Sequence, residues 1–189
     1  MSQKLVATPG QTIGPFYGYA LPFEGGERLV GPHHPRPVRL HGTVYDGAGD
    51  PIPDALIEIW QADEDGTVPR SPGSLRRDDW TFTGFGRVAV DNVGHYTFTT
   101  VNPGPTEEGA APFIAVTVFA RGLLNRLFTR VYLPEDTKAL DADRLLGSLP
   151  ADRRSTLIAG REAGGGLRFD IRLQGEGETV FLAFDGSDA

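Results

Sequence analysis

Hydrophobic residues along most of the chain occur in short runs with polar residues between them, and glycine, proline, asparagine or aspartate separates one run from the next. In LIEIWQ (56–61), two sets of side chains alternate, as they do in a β-strand whose faces differ in burial. Many short strands linked by turns are typical of an antiparallel sandwich or barrel. We therefore predict an all-β fold, an antiparallel β-sandwich, with strands at residues 38–46, 56–63, 86–91, 95–101, 112–120, 128–134, 167–175 and 179–184.

The segment 139–162 departs from this pattern and predicts a short helical excursion. Asp141 is suited to cap one short helix, and Pro150 suits the first turn of a second helix that runs to about Glu162. The glycine triplet 164–166 is then expected to end the second helix.

Residues 1–37 contain too many glycines and prolines for a long helix or a long strand. They predict an N-terminal arm, and residues 38–189 predict the sandwich domain. A free arm is usually more charged and less aromatic than GPFYGYALPF (14–23). We therefore expect the aromatic residues of the arm to pack against the body of the protein or against a partner; they are Phe16, Tyr17, Tyr19 and Phe23.

The amino-acid composition and charge disfavour several classes of protein. The 25 glycines and 15 prolines among 189 residues agree with a fold rich in turns. A formal charge of -7 disfavours the phosphate-neutralising surface that nucleic-acid binding needs, and the absence of cysteine excludes disulfides and thiolate metal sites. No apolar run approaches the roughly 20 residues of a membrane-spanning helix, and the first residues lack the apolar region of a secretory signal. The cytoplasm is the expected location.

Residue types and their spacing, taken alone, define no active site in this chain. His33 and His34 are neighbours in a proline-rich loop, where adjacent side chains diverge, and a solvated loop is the simpler interpretation. His41 and His95 stand alone in predicted strand edges or turns, which is typical of ordinary hydrogen-bonded histidines. The stretch DEDG (63–66) lacks the twelve-residue frame of a calcium loop and predicts a turn.

Four segments in order resemble the intradiol ring-cleavage dioxygenases, and together they cover nearly the whole chain. Two shorter motifs, TPGQTIGP (8–15) and FARG (119–122), are similar to the chain of a two-subunit member that holds no metal. The resemblance implies a β-sandwich fold and a place in an oxidoreductase. The four segments are 46–66, 82–105, 111–122 and 168–185.

The catalytic chains of this family hold a non-haem ferric ion with two tyrosines and two histidines. The matching positions in this chain are the tyrosine positions Val68 and Thr106 and the histidine positions Phe113 and Ala115. The family's two histidines share one face of a strand, because residues i and i+2 lie about 7 Å apart on it. The resemblance therefore implies that this chain binds no metal. Tyr96 is interpreted as a core residue, because the family also has a core tyrosine there.

A chain without metal ligands can act on the site of a partner. The resemblance implies that a β subunit holds Fe(III), that an aromatic carboxylate binds at the shared site, and that several α/β units assemble. The residues that match the pocket lining are Thr12, Gly14 and Pro15 in the arm and Arg121 in FARG. A guanidinium is always charged and would attract a carboxylate.

Plainer interpretations of these residues stay open from the sequence. Arg121 could pair with an acidic residue at a strand end, Gly14 and Pro15 could form a turn, and Arg130 is a weaker pocket candidate within a predicted strand. Two other functions are considered: a stand-alone β-sandwich binding module without catalysis, and an independent enzyme with a metal site around His33 and His34. The chain lacks metal-ligating residues at the four family positions but keeps the arm motif TPGQTIGP. This combination favours a role as the metal-free subunit over the two other functions.

Overall fold

The structure, a computed structural model, describes residues 14, 16–70 and 75–184. It contains short helices and two sheets of strands. The helices are α1 (Tyr17–Ala20), α2 (Thr137–Ala142), α3 (Arg144–Gly147) and α4 (Ala151–Ser155). The strands are β1 (Val38–Tyr45), β2 (Leu56–Gln61), β3 (Phe85–Ala89), β4 (His95–Thr100), β5 (Phe113–Phe119), β6 (Leu127–Tyr132), β7 (Gly160–Arg161), β8 (Leu167–Arg168) and β9 (Ile171–Arg172).

The two sheets confirm the predicted β-sandwich. The first sheet has the order β4-β1-β8-β7, with β9 also paired to β1, and the second has the order β3-β2-β5-β6. All pairs are antiparallel except those of β1 with β8 and β9. Buried residues of both sheets form one hydrophobic cluster, so the core lies between the sheets.

The alternation along β5 decides which side chains reach this core. Ile114, Val116 and Val118 are buried, while the side chains between them, including Phe113 and Ala115, lie on the outer face and are half-buried. The same holds for β2, whose odd-numbered side chains from 57 to 61 are buried. The two histidine positions of the family therefore share the outer face of the second sheet.

The helical excursion exists, but the predicted boundaries were wrong. Asp136 and Asp143 cap α2 and α3, since their carboxylates accept hydrogen bonds from the N–H groups three residues on. Asp141 lies inside α2 and pairs with Arg154 instead. Helix α4 ends at Ser155, and the chain then joins the sheets, because the N–H of Ala159 donates to the carbonyl of Tyr132. The glycine triplet is the turn between β7 and β8.

The end of the chain was predicted as two strands and forms less regular structure. Residues 167–175 split into β8 and β9, and residues 179–184 form no strand. Single hydrogen bonds hold this last segment: Thr129 donates its hydroxyl to the carbonyl of Val180, and the N–H of Leu182 donates to the carbonyl of Phe128. Isolated bonds of this kind do not make a ladder.

The arm lies on the body at two of its four aromatic residues. Tyr17 is buried, and the ring of Phe23 stacks on Phe85 with centroids 6.3 Å apart. Phe16 and Tyr19 are 77% and 86% exposed, so these two rings do not pack against the body of the chain, and their packing against a partner stays a prediction. In the described part of the chain, no helix has the length and hydropathy needed to cross a membrane.

The turn predicted at residues 63–66 is confirmed, and it packs closely against residues 103–105. The Asp63 carboxylate accepts hydrogen bonds from the N–H groups of Asp65 and Thr67. Gly66 has a φ of +85°, and a Cβ on it would lie 2.0 Å from the carbonyl oxygen of Pro105. Only glycine fits this close approach of two backbones.

We predict that Gly66→Ala lowers the free energy of unfolding by more than about 3 kcal/mol, because backbone strain and a backbone clash add together. Gly109→Ala is the matched control: its φ is +76°, but a Cβ there meets nothing within 4 Å. The control should cost about 1–2 kcal/mol, the strain alone. Urea unfolding of both variants measures the difference, and equal losses would contradict the clash.

Candidate functional site

The four ligand positions of the family gather at one end of the second sheet. Residues Gln61 and Ile114 are paired in the register, so the end of β2 meets the start of β5. The loop that follows β2 carries Val68, and the loop that precedes β5 carries Thr106. The contact between residues 66 and 105 holds these loops together. The backbone thus brings the four positions that the resemblance matches to metal ligands to the same end of the sheet.

Next to this end of the sheet lies an open cleft of about 610 Å³. Thr106 and Phe113 line it together with Ala110. Two cationic side chains, Arg130 and Arg144, also line the cleft.

A ferric ion does not fit these residues. Arg130 is the cross-strand neighbour of Ala115, and its guanidinium carbon lies 4.0 Å from the centroid of the Phe113 ring. One cation therefore already lies over the Phe113 ring, and it would repel another cation there. Val68, Phe113 and Ala115 offer only hydrocarbon, and Thr106 offers one hydroxyl. Within the described ranges, no three His, Cys, Asp or Glu side chains are placed to hold a metal ion.

The guanidinium of Arg130 belongs to a chain of hydrogen bonds. Its Nη1 donates to the Tyr132 hydroxyl over 3.1 Å, and that hydroxyl donates to Asp143 over 3.2 Å. Burial raises the pKa of Tyr132, while Arg130 opposes the shift. Arg130 has no ion pair among the interactions of the described residues, so its bonding partner is a tyrosine and an aromatic face.

The four histidines have contacts that differ in part from those predicted from the sequence. His33 stacks near Trp80 with centroids 6.0 Å apart, and His34 lies 4.0 Å from a Glu64 oxygen, so the two rings have different partners. His41 and His95 were expected to stand alone, but His41 Nδ1 lies 3.2 Å from His95 Nε2. His41 Nε2 lies 3.1 Å from Glu162. The pairing of β1 with β4, which the sequence does not state, brings them together.

Tyr96 is a core residue, as predicted. It is buried, and its hydroxyl donates a hydrogen bond to the carbonyl of Phe169. Burial raises its pKa far above the ordinary range.

Arg121 lies just beyond β5, where its Nη2 donates to the Asp54 carboxylate over 2.8 Å. The side chain of Arg121 is 63% exposed, while that of Asp54 is 24% exposed. The ion pair agrees with the register of the β2–β5 pair. Leu56 is opposite Phe119, so continuing the antiparallel register by two residues on each strand places residue 54 opposite residue 121. The acidic partner allowed for in the plainer interpretation therefore exists, and most of the guanidinium still faces outward.

The N-terminal arm contacts the residues around the ion pair of Arg121 and Asp54. The Tyr17 hydroxyl donates to the carbonyl of Asp54 over 2.8 Å. The Tyr17 ring lies 6.0 Å from that of Phe119. Gly14, three residues earlier, is exposed. The predicted pocket residues Thr12 and Pro15 lie outside the described residues.

The cluster of Tyr17, Asp54 and Arg121, called here the arm cluster, is remote from the ligand positions of its own chain. Six residue steps along β5 separate Phe113 from Phe119. At roughly 3.3 Å a step, this is about 20 Å. The arm cluster therefore cannot line a site built at residues 68, 106, 113 and 115.

The chain is similar to dioxygenases in both sequence and structure. A family model described as "Dioxygenase" matches residues 14–112. The protocatechuate 3,4-dioxygenase alpha chain of Burkholderia cepacia is 40% identical over 94% of this chain and 98% of its own length. The beta chain of the same enzyme is 32% identical over 85% of this chain and 63% of its own length. The dioxygenase domain of a carbohydrate-binding fusion protein from Streptomyces sp. SirexAA-E superposes with a TM-score of 0.61 at 27% identity, covering 89% of this chain and 98% of that domain.

The arm cluster also has a pH signature. Burial, followed by the Asp54 carboxylate, raises the pKa of Tyr17 to about 12, against the opposing effect of Arg121. An unfolded tyrosine has a pKa of about 10. Because the folded value is the higher one, the stability due to this hydroxyl is complete below about pH 10 and is lost as the pH rises through about 12.

We predict that Tyr17→Phe makes the unfolding free energy fall less steeply than in the wild type between about pH 10 and about pH 12. Buried tyrosines elsewhere keep part of the slope in both proteins. Tyr19→Phe, in the same helix but exposed, is the control and should keep the wild-type slope. Urea unfolding across this pH range provides the measurement, and identical slopes for all three proteins would refute the assignment.

Proposed function

The chain belongs to the intradiol ring-cleavage dioxygenase family, and we propose that it serves as the alpha chain of a protocatechuate 3,4-dioxygenase. Its similarity to a curated alpha chain extends over nearly the full length of both proteins. A stand-alone binding module is not favoured, because such a module would not require the match along the arm and the FARG motif.

The assembled enzyme would open the ring of protocatechuate between its two hydroxylated carbons. Both atoms of O2 enter the product, 3-carboxy-cis,cis-muconate, so one C–C bond breaks and two carboxyl groups form. In this proposal the beta chain holds the ferric ion, which supplies the substrate-activating chemistry. The misfit of iron with the hydrocarbon side chains and with Arg130 supports this division of labour.

The single observation that carries the proposal is the position of the arm cluster. Its Arg121 side chain is 63% exposed, and the cluster lies about 20 Å from Phe113 along β5 and joins the arm to Arg121. A chain that lines a neighbour's site needs such an arrangement, because its contributing side chains must point away from the ligand positions of its own chain. Thr12, Gly14 and Pro15 are proposed to reach the neighbour's pocket with Arg121.

Arg121 suits an aromatic carboxylate in this proposal. A guanidinium has five N–H donors, and the bond to Asp54 uses Nη2. The remaining donors can bind a substrate oxygen or a partner carbonyl in a fixed fork. The surface charge also raises the local concentration of anions.

The same proposal covers the organisation of the chain and its assembly. Residues 1–37 act as the arm, residues 38–189 form the sandwich domain, and several alpha/beta units assemble in the cytoplasm. The exposed rings of Phe16 and Tyr19 suit a partner surface. An independent metal enzyme around His33 and His34 has no support, because those rings have different partners.

We predict that the chain expressed alone contains no iron and no tyrosinate-to-iron colour, whereas co-expression with its beta chain gives a coloured complex that co-purifies. Iron analysis and the visible spectrum of both preparations measure this. Stoichiometric iron in the isolated chain, or ring cleavage without a beta chain, would overturn the proposed function.

We predict that Arg121→Ala in the assembled enzyme lowers kcat/KM at least about 10-fold, the size expected for a charge-assisted hydrogen bond, with unchanged iron content. Arg126→Ala is the control, since this exposed arginine follows closely in the chain and contacts Phe128 instead. Steady-state kinetics with protocatechuate provide the test. Wild-type kinetics for Arg121→Ala would reduce this residue to a strand-end ion pair.

A further inference from the structure

We infer that Asp54 and Tyr17 are positioning residues that hold the Arg121 guanidinium in the orientation in which it receives the carboxylate of the substrate. This inference rests on the proposed function of Arg121 at the shared site. Asp54 and Tyr17 are not themselves expected to touch the substrate. They act on it through Arg121.

Arg121 needs support from outside its own strand. It follows β5 by two residues, next to Gly122, whose φ is +94°. Its side chain is long and mostly exposed, so it has rotamer entropy to lose on binding. Among the interactions of the described residues, the Asp54 carboxylate is its ion-pair partner.

Asp54 is itself held in place. It lies in the turn just before β2, and its carbonyl accepts the Tyr17 hydroxyl. The register that sets residue 54 opposite residue 121 is the extension of the β2–β5 ladder. Because the carbonyl of Asp54 is hydrogen-bonded to Tyr17 and the ladder begins two residues later at Leu56, the position of its carboxylate beside the guanidinium is restricted.

Tyr17 joins the arm to Asp54. Its hydroxyl donates to the carbonyl of Asp54, and the carboxylate of Asp54 pairs with Arg121, so Asp54 links the arm to the residue that follows β5. The buried ring packs near Phe119. Docking of the arm and orientation of Arg121 are therefore coupled.

Two effects of Asp54 on an anionic substrate have opposite signs. Its negative charge weakens the attraction of the site for a carboxylate, while its bond to Arg121 reduces the freedom that the guanidinium loses on binding. The pair is partly exposed, so solvent screens the repulsion. We expect orientation to dominate, and the kinetics decide between the two signs.

The test is a double-mutant cycle in the assembled enzyme. Asp54→Ala should raise KM for protocatechuate about 3- to 10-fold, the range for one immobilised side chain, with kcat within about 2-fold. In an Arg121→Ala background, Asp54→Ala should change KM less than about 2-fold, because its target is gone. Asp141→Ala, which removes an exposed ion pair with Arg154, is the matched control and should leave the kinetics unchanged.

Tyr17→Phe provides a second, independent variant. It keeps the ring that packs near Phe119 and removes only the hydroxyl, so the fold should persist. KM should rise in the same direction as for Asp54→Ala, again only when Arg121 is present. Tyr19→Phe should behave as the wild type.

Each result has a distinct meaning. A lower KM for Asp54→Ala, with a steeper dependence on salt, would show that Asp54 only screens Arg121 and would overturn this inference alone. An equal rise of KM with and without Arg121 would also overturn it, since Asp54 would then act by another route. Wild-type kinetics for Arg121→Ala would overturn the proposed role of Arg121 and this inference together.

Discussion

The antiparallel pairing of β2 with β5 is the constraint on which the functional geometry depends. Its register joins residue 61 to residue 114 at one end and residue 56 to residue 119 at the other. The first end gathers the loops that carry Val68 and Thr106 beside Phe113 and Ala115. The second end sets Asp54 opposite Arg121. A shift of the ladder by one residue would turn every side chain to the opposite face and separate both groups.

The end that matches a metal site has become a cationic and aromatic surface. The Arg130 guanidinium covers the ring of Phe113 and donates to Tyr132, which in turn donates to Asp143, the cap of α3. A buried or half-buried polar group is costly unless it is hydrogen-bonded, and each group here has a partner. The permanent charge of Arg130 therefore lies at this end of the sheet with a hydrogen-bond partner and an aromatic partner.

The arm shows how far residue patterns predict a site. The resemblance in TPGQTIGP and FARG grouped arm residues with Arg121, although more than 100 positions separate them in the sequence. The structure adds the contact between them through Tyr17 and Asp54, for which the sequence contained no signal beyond an aromatic residue in the arm. The pair of His41 and His95 was missed for the same reason, because their contact depends on which strands pair. Whether Thr12, Gly14 and Pro15 line a pocket depends on a second chain.

The sequence by itself determined the class of fold and the positions of β1 to β6, because the alternation of hydrophobic and polar residues is a local property. The last part of the chain was predicted less well, since residues 179–184 have strand-like alternation but meet neighbours through single bonds only. The predicted helix cap was wrong because residues 136–143 contain several aspartates that could each cap a helix. Tertiary packing selects among them. Only the tertiary structure decided the register that sets Asp54 opposite Arg121, since pairing between distant strands is a cooperative property of the whole fold.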